Sequence, residues 1–509
     1  MSSGRILITS DRSLETNYKG NNFVGYLSSL PLGVIPKRIY NWFYPLPKIY
    51  QEYSLNKPHL SIRTIQSILL QNINYKRYFN NDNVKIIHPE FIQKIVKNGD
   101  MILISTMDPL GLGPATSSWR FLPFGVPYHV YYFWDLIKRL DMIRKKKNLN
   151  FKIMIGGAGV WQIENKKLLN KYGIDYIFKG EAEKNLCEIV KQLIEFNNQK
   201  NNVNNLGDYR IFKGEIAERK DFVPLLGPTN LSMIEITRGC GRMCQFCAPT
   251  RSGKIRSIPK EIILETSKNF MRGKFKSYIL NLQSEDTLRY ESNNFNINQE
   301  AVFDLYKDLF NIGIKRIFIT HATLANIAAE PDFIHKLTEL LNQKGHKYYG
   351  FQPGIESGST ILMKKLMKGK FFPLNDLEWP EIVLEAFKIC HKEKWVPTAS
   401  IVLGLPGETE DDLKETEVLI KKLIERDYFF IFAPLLFVSM PMTPLSDKNS
   451  LKFLKMSETQ KRLFKLMWKF NLKKIGKVWN IYNLYGYEFP KWKRNILYNL
   501  LDFLSHFVS

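Results

Sequence analysis

The chain predicts an α/β protein in three parts: a Rossmann-like, doubly wound parallel sheet, then a partial barrel of six strands and helices, then a helical cap. Three observations predict this. Short apolar runs alternate with helix-patterned segments from about residue 60 to residue 440, the signature of βαβ units. Several of those runs end on glycine, where parallel strands turn into helices and where ligands gather. From about residue 450 the pattern changes and the chain becomes helical, aromatic and basic.

Residues 1–60 read as an irregular extension, rich in proline and aromatics as in LPLGVIPKRIYNWFYPLPKIY. Residues 61–200 form the first α/β domain. Its helix SIRTIQSILLQNI precedes the strand VKIIHP, and FIQKIVKNG leads into MILIST; FKIMIGG and IDYIFKGEAE repeat the strand-then-glycine arrangement. Residues 201–228 read as a linker with room for a small hairpin. Residues 229–446 carry the barrel strands MIEIT, YILNLQ, RIFIT, YYGFQPGIE, TASIVLGLPG and FFIFAPLLF, separated by helices such as EDDLKETEVLIKKLIERD. A barrel of this kind places its chemistry at the carboxyl ends of the strands. Residues 447–509 are the basic amphipathic tail: Leu463, Leu466, Met467 and Phe470 recur at helical spacing, with Lys461, Lys465 and Lys469 in a row of their own.

Five cysteines in 509 residues cannot make a disulfide framework. Three of them clustered in a cysteine-poor chain point to a reducing compartment and to metal or catalytic chemistry. The start MSSGRILITSDRS lacks the form of a signal peptide, and no apolar run reaches the length of a spanning helix. A cytoplasmic protein is therefore expected, with peripheral contact at the inner membrane surface. The formal charge of +24 suits either an anionic partner or a generally basic surface. A noncatalytic or RNA-binding module is the competing class, but no RNA-binding motif accompanies the charge, so nucleic acid is not the expected partner.

The chemistry concentrates in ITRGCGRMCQFCAPTR, where Cys240, Cys244 and Cys247 are spaced C-x3-C-x2-C. Structural zinc takes four protein ligands, and no second cysteine pair or His-x-x-x-His accompanies the trio. Iron–sulfur clusters ordinarily take four thiolates. Three leave one iron open to a substrate.

With Phe246 before the last cysteine, the loop resembles that of the radical S-adenosylmethionine (SAM) enzymes. The resemblance implies that Cys240, Cys244 and Cys247 hold a 4Fe-4S cluster whose fourth iron chelates SAM. It also implies one-electron cleavage of SAM to a 5′-deoxyadenosyl radical that abstracts hydrogen from unactivated carbon, with ferredoxin or flavodoxin as the kind of reductant required. Further segments carry the likeness. LNLQSEDTL places Gln283, Ser284 and Glu285 where the family binds the SAM amino group, although two glycines usually precede the glutamate, which leaves Glu285 as the candidate. GIESGS, with Glu356 and Ser357, resembles the segment at the ribose and carboxylate of SAM; GLPGE, with Gly404, resembles the one near adenine. The later VSMPMTP has Met442 where a glycine is common. No catalytic side chain is readable, and His321 in FITHATL is expected to be structural.

The first domain resembles the cobalamin-binding domains that precede many such barrels, through STMDPLGLGP, MIGGAGV and the Gly-Glu-x-Glu of KGEAEKN. The histidine that ligates cobalt in one branch of the family is missing after Asp108, so cobalamin, if bound, would lack that ligand; the glycines alone need only be tight turns. A methylthiotransferase would need three more cysteines for a second cluster, and only Cys187 and Cys390 remain. The whole set resembles archaeal lipid-modifying radical SAM proteins, nearest to tetraether-lipid (GDGT) ring synthases, which join saturated carbons of isoprenoid membrane lipids. The expectation is a lipid or other hydrophobic substrate, with a cobalamin-dependent methyltransferase as the runner-up.

Overall fold

The structure, a computed structural model, describes residues 4–16, 18–20, 28–34, 36–43, 46–47, 49–119, 125–198, 210–248, 254–343, 345, 347–478 and the isolated residues 481, 492, 495 and 499. The closing apolar stretch of the tail and most of residues 479–509 lie outside these.

The first sheet has six parallel strands: β1 (Ile6–Ser10), β2 (Val84–Ile86), β3 (Met101–Ser105), β4 (Lys152–Gly156), β5 (Tyr176–Lys179) and β6 (Ile211–Lys213), in the order β2-β1-β3-β4-β5-β6. Alternate residues of the same strands enter two separate cores. Ile6, Ile8, Met101 and Leu103 pack on one face, and Leu7, Ile102 and Ile104 on the other. Helices therefore cover both faces, which is what near-continuous apolar strands require.

Two expectations are corrected here. The supposedly irregular residues 1–60 contain β1, a wholly buried strand between β2 and β3. Its partners lie far along the chain, with Ile6 beside both Val84 and Met101, so no local pattern announces it. The linker at 201–228 contributes β6, which joins β5 in parallel rather than folding as a hairpin.

The second sheet follows in chain order: β7 (Met233–Glu235), the short antiparallel pair β8 (Thr237–Arg238) and β9 (Arg256–Ser257), then β10 (Ile279–Gln283), β11 (Arg316–Ile319), β12 (Tyr349–Phe351), β13 (Gly354–Glu356), β14 (Trp395–Leu403) and β15 (Ile431–Leu436). β7, β10 and β11 run parallel side by side; β12, β13 and β15 pair in parallel with β14. The Gln352 amide donates to Thr320 O at 2.8 Å and joins the two groups. The expected single strand YYGFQPGIE is thus split into β12 and β13 at Pro353, which has no N–H for a ladder.

An open barrel leaves an edge at β15, and this chain closes it residue by residue. Phe432 exchanges two hydrogen bonds with the Asn471 side chain, at 2.8 and 2.7 Å. Pro434, two residues on, has no donor to satisfy. The Leu436 amide donates to Ser118 Oγ, at 2.9 Å, from the loop after β3. Asn471 belongs to the helix Glu458–Val478, whose Leu463, Met467 and Phe470 are buried against the barrel. Covering an edge in this way removes a template for aggregation.

Candidate functional site

The cysteine loop leaves the carboxyl end of β8 through Gly239 and Gly241, both at positive φ (81° and 72°), where glycine adopts the left-handed backbone without a Cβ penalty. Cys240 and Cys244 are buried and Cys247 is half-buried. Burial pushes the Cys244 thiol up to about 11 and the Cys247 thiol to about 12. Cys247 also feels the charge of Cys244, Cys240 and Lys370, and Cys244 that of Lys370 and Cys240, so the trio converges on one locality. Phe246 packs onto the barrel core beside it.

Arg242, between the first two cysteines, anchors the loop. Its guanidinium donates to the carbonyls of Gly369 and Phe372 at 2.7 and 2.8 Å, to Thr323 Oγ1 at 3.0 Å and to Asp286 at 3.3 Å. The Arg242 and Asp286 side chains are 1% and 0% exposed. A buried ion pair persists only where further hydrogen bonds satisfy it, and Asp286 also accepts from Thr323 and Asn326. Arg289 donates to Cys240 O at 2.5 Å, and Phe295 lies under both guanidiniums. Backbone contact is equally tight: a Cβ at Gly369 would lie 2.0 Å from Arg242 O.

Glu285 sits just beyond β10 and faces this loop. Burial, reinforced by Glu235, raises its carboxyl to about 7, opposed by the Gly239 amide and by Arg238. Its Oε2 is buried without a hydrogen-bond partner among the described residues. An orphaned buried carboxylate oxygen calls for an explanation.

The other candidates are differently engaged. Glu356, at positive φ, pairs with Lys370 and accepts from Ser400 at 2.9 Å. The Ser357 hydroxyl meets Thr416 at 3.2 Å and the Ser359 amide at 3.1 Å. Both therefore serve internal contacts. Gly404 takes φ 80° and donates its amide to Glu408 at 2.8 Å, with Leu451 pressed against it. His321 is hydrogen-bonded to Ser284 O at 3.1 Å. Sequence reasoning missed Arg242, Asp286, Arg289 and Lys370. The signal within reach was an arginine set between ligand-spaced cysteines.

The Gly-Glu-x-Glu segment touches the same site. Arg238, two residues before Cys240, binds Glu181, Glu183 and Glu235 at 2.7–2.8 Å, and Arg256 binds Glu181 at 2.6 Å. The first sheet is thereby pinned to the base of the cysteine loop. Asp108, by contrast, is used up within the first domain: Gly113 and Thr116 of its own loop and Gln162 from the turn after β4 donate to it at 3.0, 2.5 and 2.7 Å. Gly157 and Gly159 are required by packing, since Cβ atoms there would lie 2.6 Å from Thr106 O and 2.3 Å from Met107 O. The loop from Thr106 to Trp119 offers no histidine or lysine nitrogen to a metal.

Residues 234–420 match the family model described as the Radical SAM superfamily. The tRNA-2-methylthio-N(6)-dimethylallyladenosine synthase of Symbiobacterium thermophilum is 25% identical over 359 residues, covering 67% of this chain and 71% of that protein. The ribosomal protein uS12 methylthiotransferase RimO of Sulfurihydrogenibium sp. is 24% identical over 299 residues, covering 56% and 62%. Among solved structures, the radical SAM methyltransferase TsrM from Kitasatospora setae, with cobalamin and a 4Fe-4S cluster bound, superposes with a TM-score of 0.52 at 10% identity, over 87% of this chain and 77% of that one. The cobalamin-dependent radical SAM enzyme OxsB, with aqua-cobalamin bound, gives 0.54 at 11% identity, over 99% and 72%. The chain thus carries a radical SAM domain, which implies a 4Fe-4S cluster and SAM, in a fold shared with two-domain enzymes of that class.

The residues fit the cluster. Among the described residues no group of His, Cys, Asp and Glu gathers tightly enough for a single ion, whereas a cubane meets each thiolate at a separate iron. The orphaned Glu285 Oε2 supplies an acceptor beside it for an ammonium group.

Proposed function

We propose that this chain is a radical SAM enzyme that abstracts hydrogen from unactivated carbon of a hydrophobic substrate, and that the substrate is an isoprenoid membrane lipid in which saturated carbons are joined into rings. The observation that carries the reaction type is the cysteine trio on a doubly clamped loop beside Glu285, whose buried Oε2 has no hydrogen-bond partner among the described residues. Bound there, a cluster with SAM supplies hydrogen-abstracting chemistry at carbons that have neither an acidic proton nor a leaving group.

The chain's own residues have separate tasks in this reading. Cys240, Cys244 and Cys247 hold the iron. Glu285 receives the SAM amino group. Arg242 and Arg289 keep the loop backbone fixed against Asp286, Phe295 and the 369–372 turn. Glu356 pairs with Lys370 near the thiols, on the segment assigned to the ribose and carboxylate of SAM. Each ring closure would consume two molecules of SAM, whose two deoxyadenosyl groups would carry away the two hydrogens, with one electron per SAM from a reductant such as ferredoxin or flavodoxin, and the basic helix Glu458–Val478 is the surface for peripheral membrane contact. Among the described residues no helix is long and apolar enough to cross a membrane.

The curated relatives act as methylthiotransferases by name. For this chain that chemistry lacks its second cluster: Cys187 and Cys390 are buried in the separate cores of the two sheets. A second reading, cobalamin-dependent methyl transfer, is favoured by the first sheet and by the likeness to TsrM and OxsB. Anaerobic reconstitution followed by a SAM-cleavage assay with extracted membrane lipids separates the two. Ring formation leaves product lighter by two hydrogens per event; methylation leaves it heavier by one methylene. No change in any lipid refutes the lipid assignment.

A further inference from the structure

A cavity of about 400 Å³ opens between the two sheets, away from the cysteine loop. Leu112 and Trp161 come from the loops after β3 and β4; Val438, Leu451 and Phe453 come from the chain beyond β15. Ser117, Ser439 and Ser450 add hydroxyls, Lys452 is its one cation among the described residues, and Leu454 at its rim is 86% exposed. The volume lies within the range of small-molecule sites, which are mostly apolar with a few placed polar groups.

From this lining we infer that the cavity is a binding site for one long alkyl or isoprenoid chain bearing an anionic end, with the chain against Leu112, Trp161 and Phe453 and the anion at Lys452. Three features support that occupant. The walls are apolar where a chain would lie, and the single charge stands at an exposed position. Among the described residues no histidine lines the cavity, and Asp108, in the loop that forms one wall, is satisfied internally. Leu451, in the cavity wall, also lies against Gly404 at the end of β14, so the cavity adjoins one of the barrel's strand ends. The inference rests on the hydrophobic-substrate reading and narrows it to a chain-binding groove shared by both sheets.

The test is binding rather than turnover, so it stands apart from cluster chemistry. A brominated long-chain fatty acid is titrated into the whole protein while tryptophan emission is followed, because bromine quenches only rings it touches. Saturable quenching is expected in the wild type, its saturable part should vanish in Trp161→Phe, and the midpoint should move at least tenfold in Ser439→Phe, which fills the cavity. Lys452→Glu, at an exposed position that leaves the fold intact, should weaken the fatty acid several-fold and leave the matching brominated alcohol unaffected. Quenching that persists in Trp161→Phe, indifference to both other variants, or displacement of the probe by stoichiometric hydroxocobalamin would each overturn the inference. If the probe fails to bind while lipids still stimulate SAM cleavage, the cavity assignment falls and the enzymatic reading survives; binding without such cleavage gives the reverse.

Discussion

At the carboxyl end of the first sheet, Glu15 and Asp108 find all their partners within the chain. Glu15 accepts from Ser10 Oγ and from the His59 amide at 3.0 Å, and Asp108 accepts from three donors within the first domain. At the same end of the barrel, Glu285 keeps one buried oxygen without a partner beside three thiols that burial holds neutral. Both ends are built from glycine turns on parallel strands. The difference is that the Glu15 and Asp108 carboxylates are satisfied by the fold, although Thr106 Oγ1 and Glu183 Oε2 nearby have no partner among the described residues, while the barrel end sets an unpartnered carboxylate oxygen beside a loop that carries three thiols. A glycine-rich strand end is therefore weak evidence for a ligand, and an unsatisfied buried oxygen is stronger evidence.

The largest way to sharpen this contrast is a pair of cysteine variants. Cys247→Ala should bring iron in anaerobically reconstituted protein down to background, whereas Cys187→Ala, in the first sheet's core, should leave iron unchanged; equal losses would erase the distinction. Next comes the loop clamp. Asp286→Asn leaves the Arg242 guanidinium buried and uncompensated, which should cost about 3–5 kcal/mol in equilibrium unfolding, with loss of cluster retention.

A pH experiment probes the self-satisfied end. Burial raises the Glu15 carboxyl from the usual 4.5 to about 7, against hydrogen bonds from Ser10 and His59. The folded chain then keeps a proton that the unfolded chain releases above about 4.5. This contribution is complete below that value and disappears as pH rises through about 7. Relative to Glu15→Gln, the wild type should lose at most about 3 kcal/mol of stability between those limits, and parallel stability curves for the two proteins would refute the assignment. The smallest effect belongs to the surface: Lys461 meets Glu458 at 2.7 Å, but that carboxylate is 87% exposed. Lys461→Ala should change unfolding free energy by less than about 0.5 kcal/mol.

Much of this site is legible in sequence because its parts are local. The cysteine spacing, Phe246 and the apolar barrel strands lie in short windows. What escapes is non-local: Arg242 draws its partners from the turns at 286, 323, 369 and 372, and no window contains them together. β1 escapes for the same reason, as a five-residue strand flanked by partners that arrive only at Val84 and Met101. Glu356 and Ser357 were legible as a motif, but their side-chain partners Lys370, Ser400 and Thr416 come from later in the chain and were not. The helical spacing of Leu463, Leu466, Met467 and Phe470 is local and falls in the helix Glu458–Val478, yet the use of Asn471 to seal the β15 edge requires knowing which strand is last in the sheet.

The electron paramagnetic resonance spectrum of the anaerobically reconstituted, reduced protein, recorded before and after SAM is added, bears most directly on the central claim. Three thiolates with one coordination position free predict a cubane iron–sulfur signal that changes shape when SAM binds and is missing from Cys244→Ala. A protein that takes up no iron, a spectrum indifferent to SAM, or an unchanged signal in Cys244→Ala would contradict it.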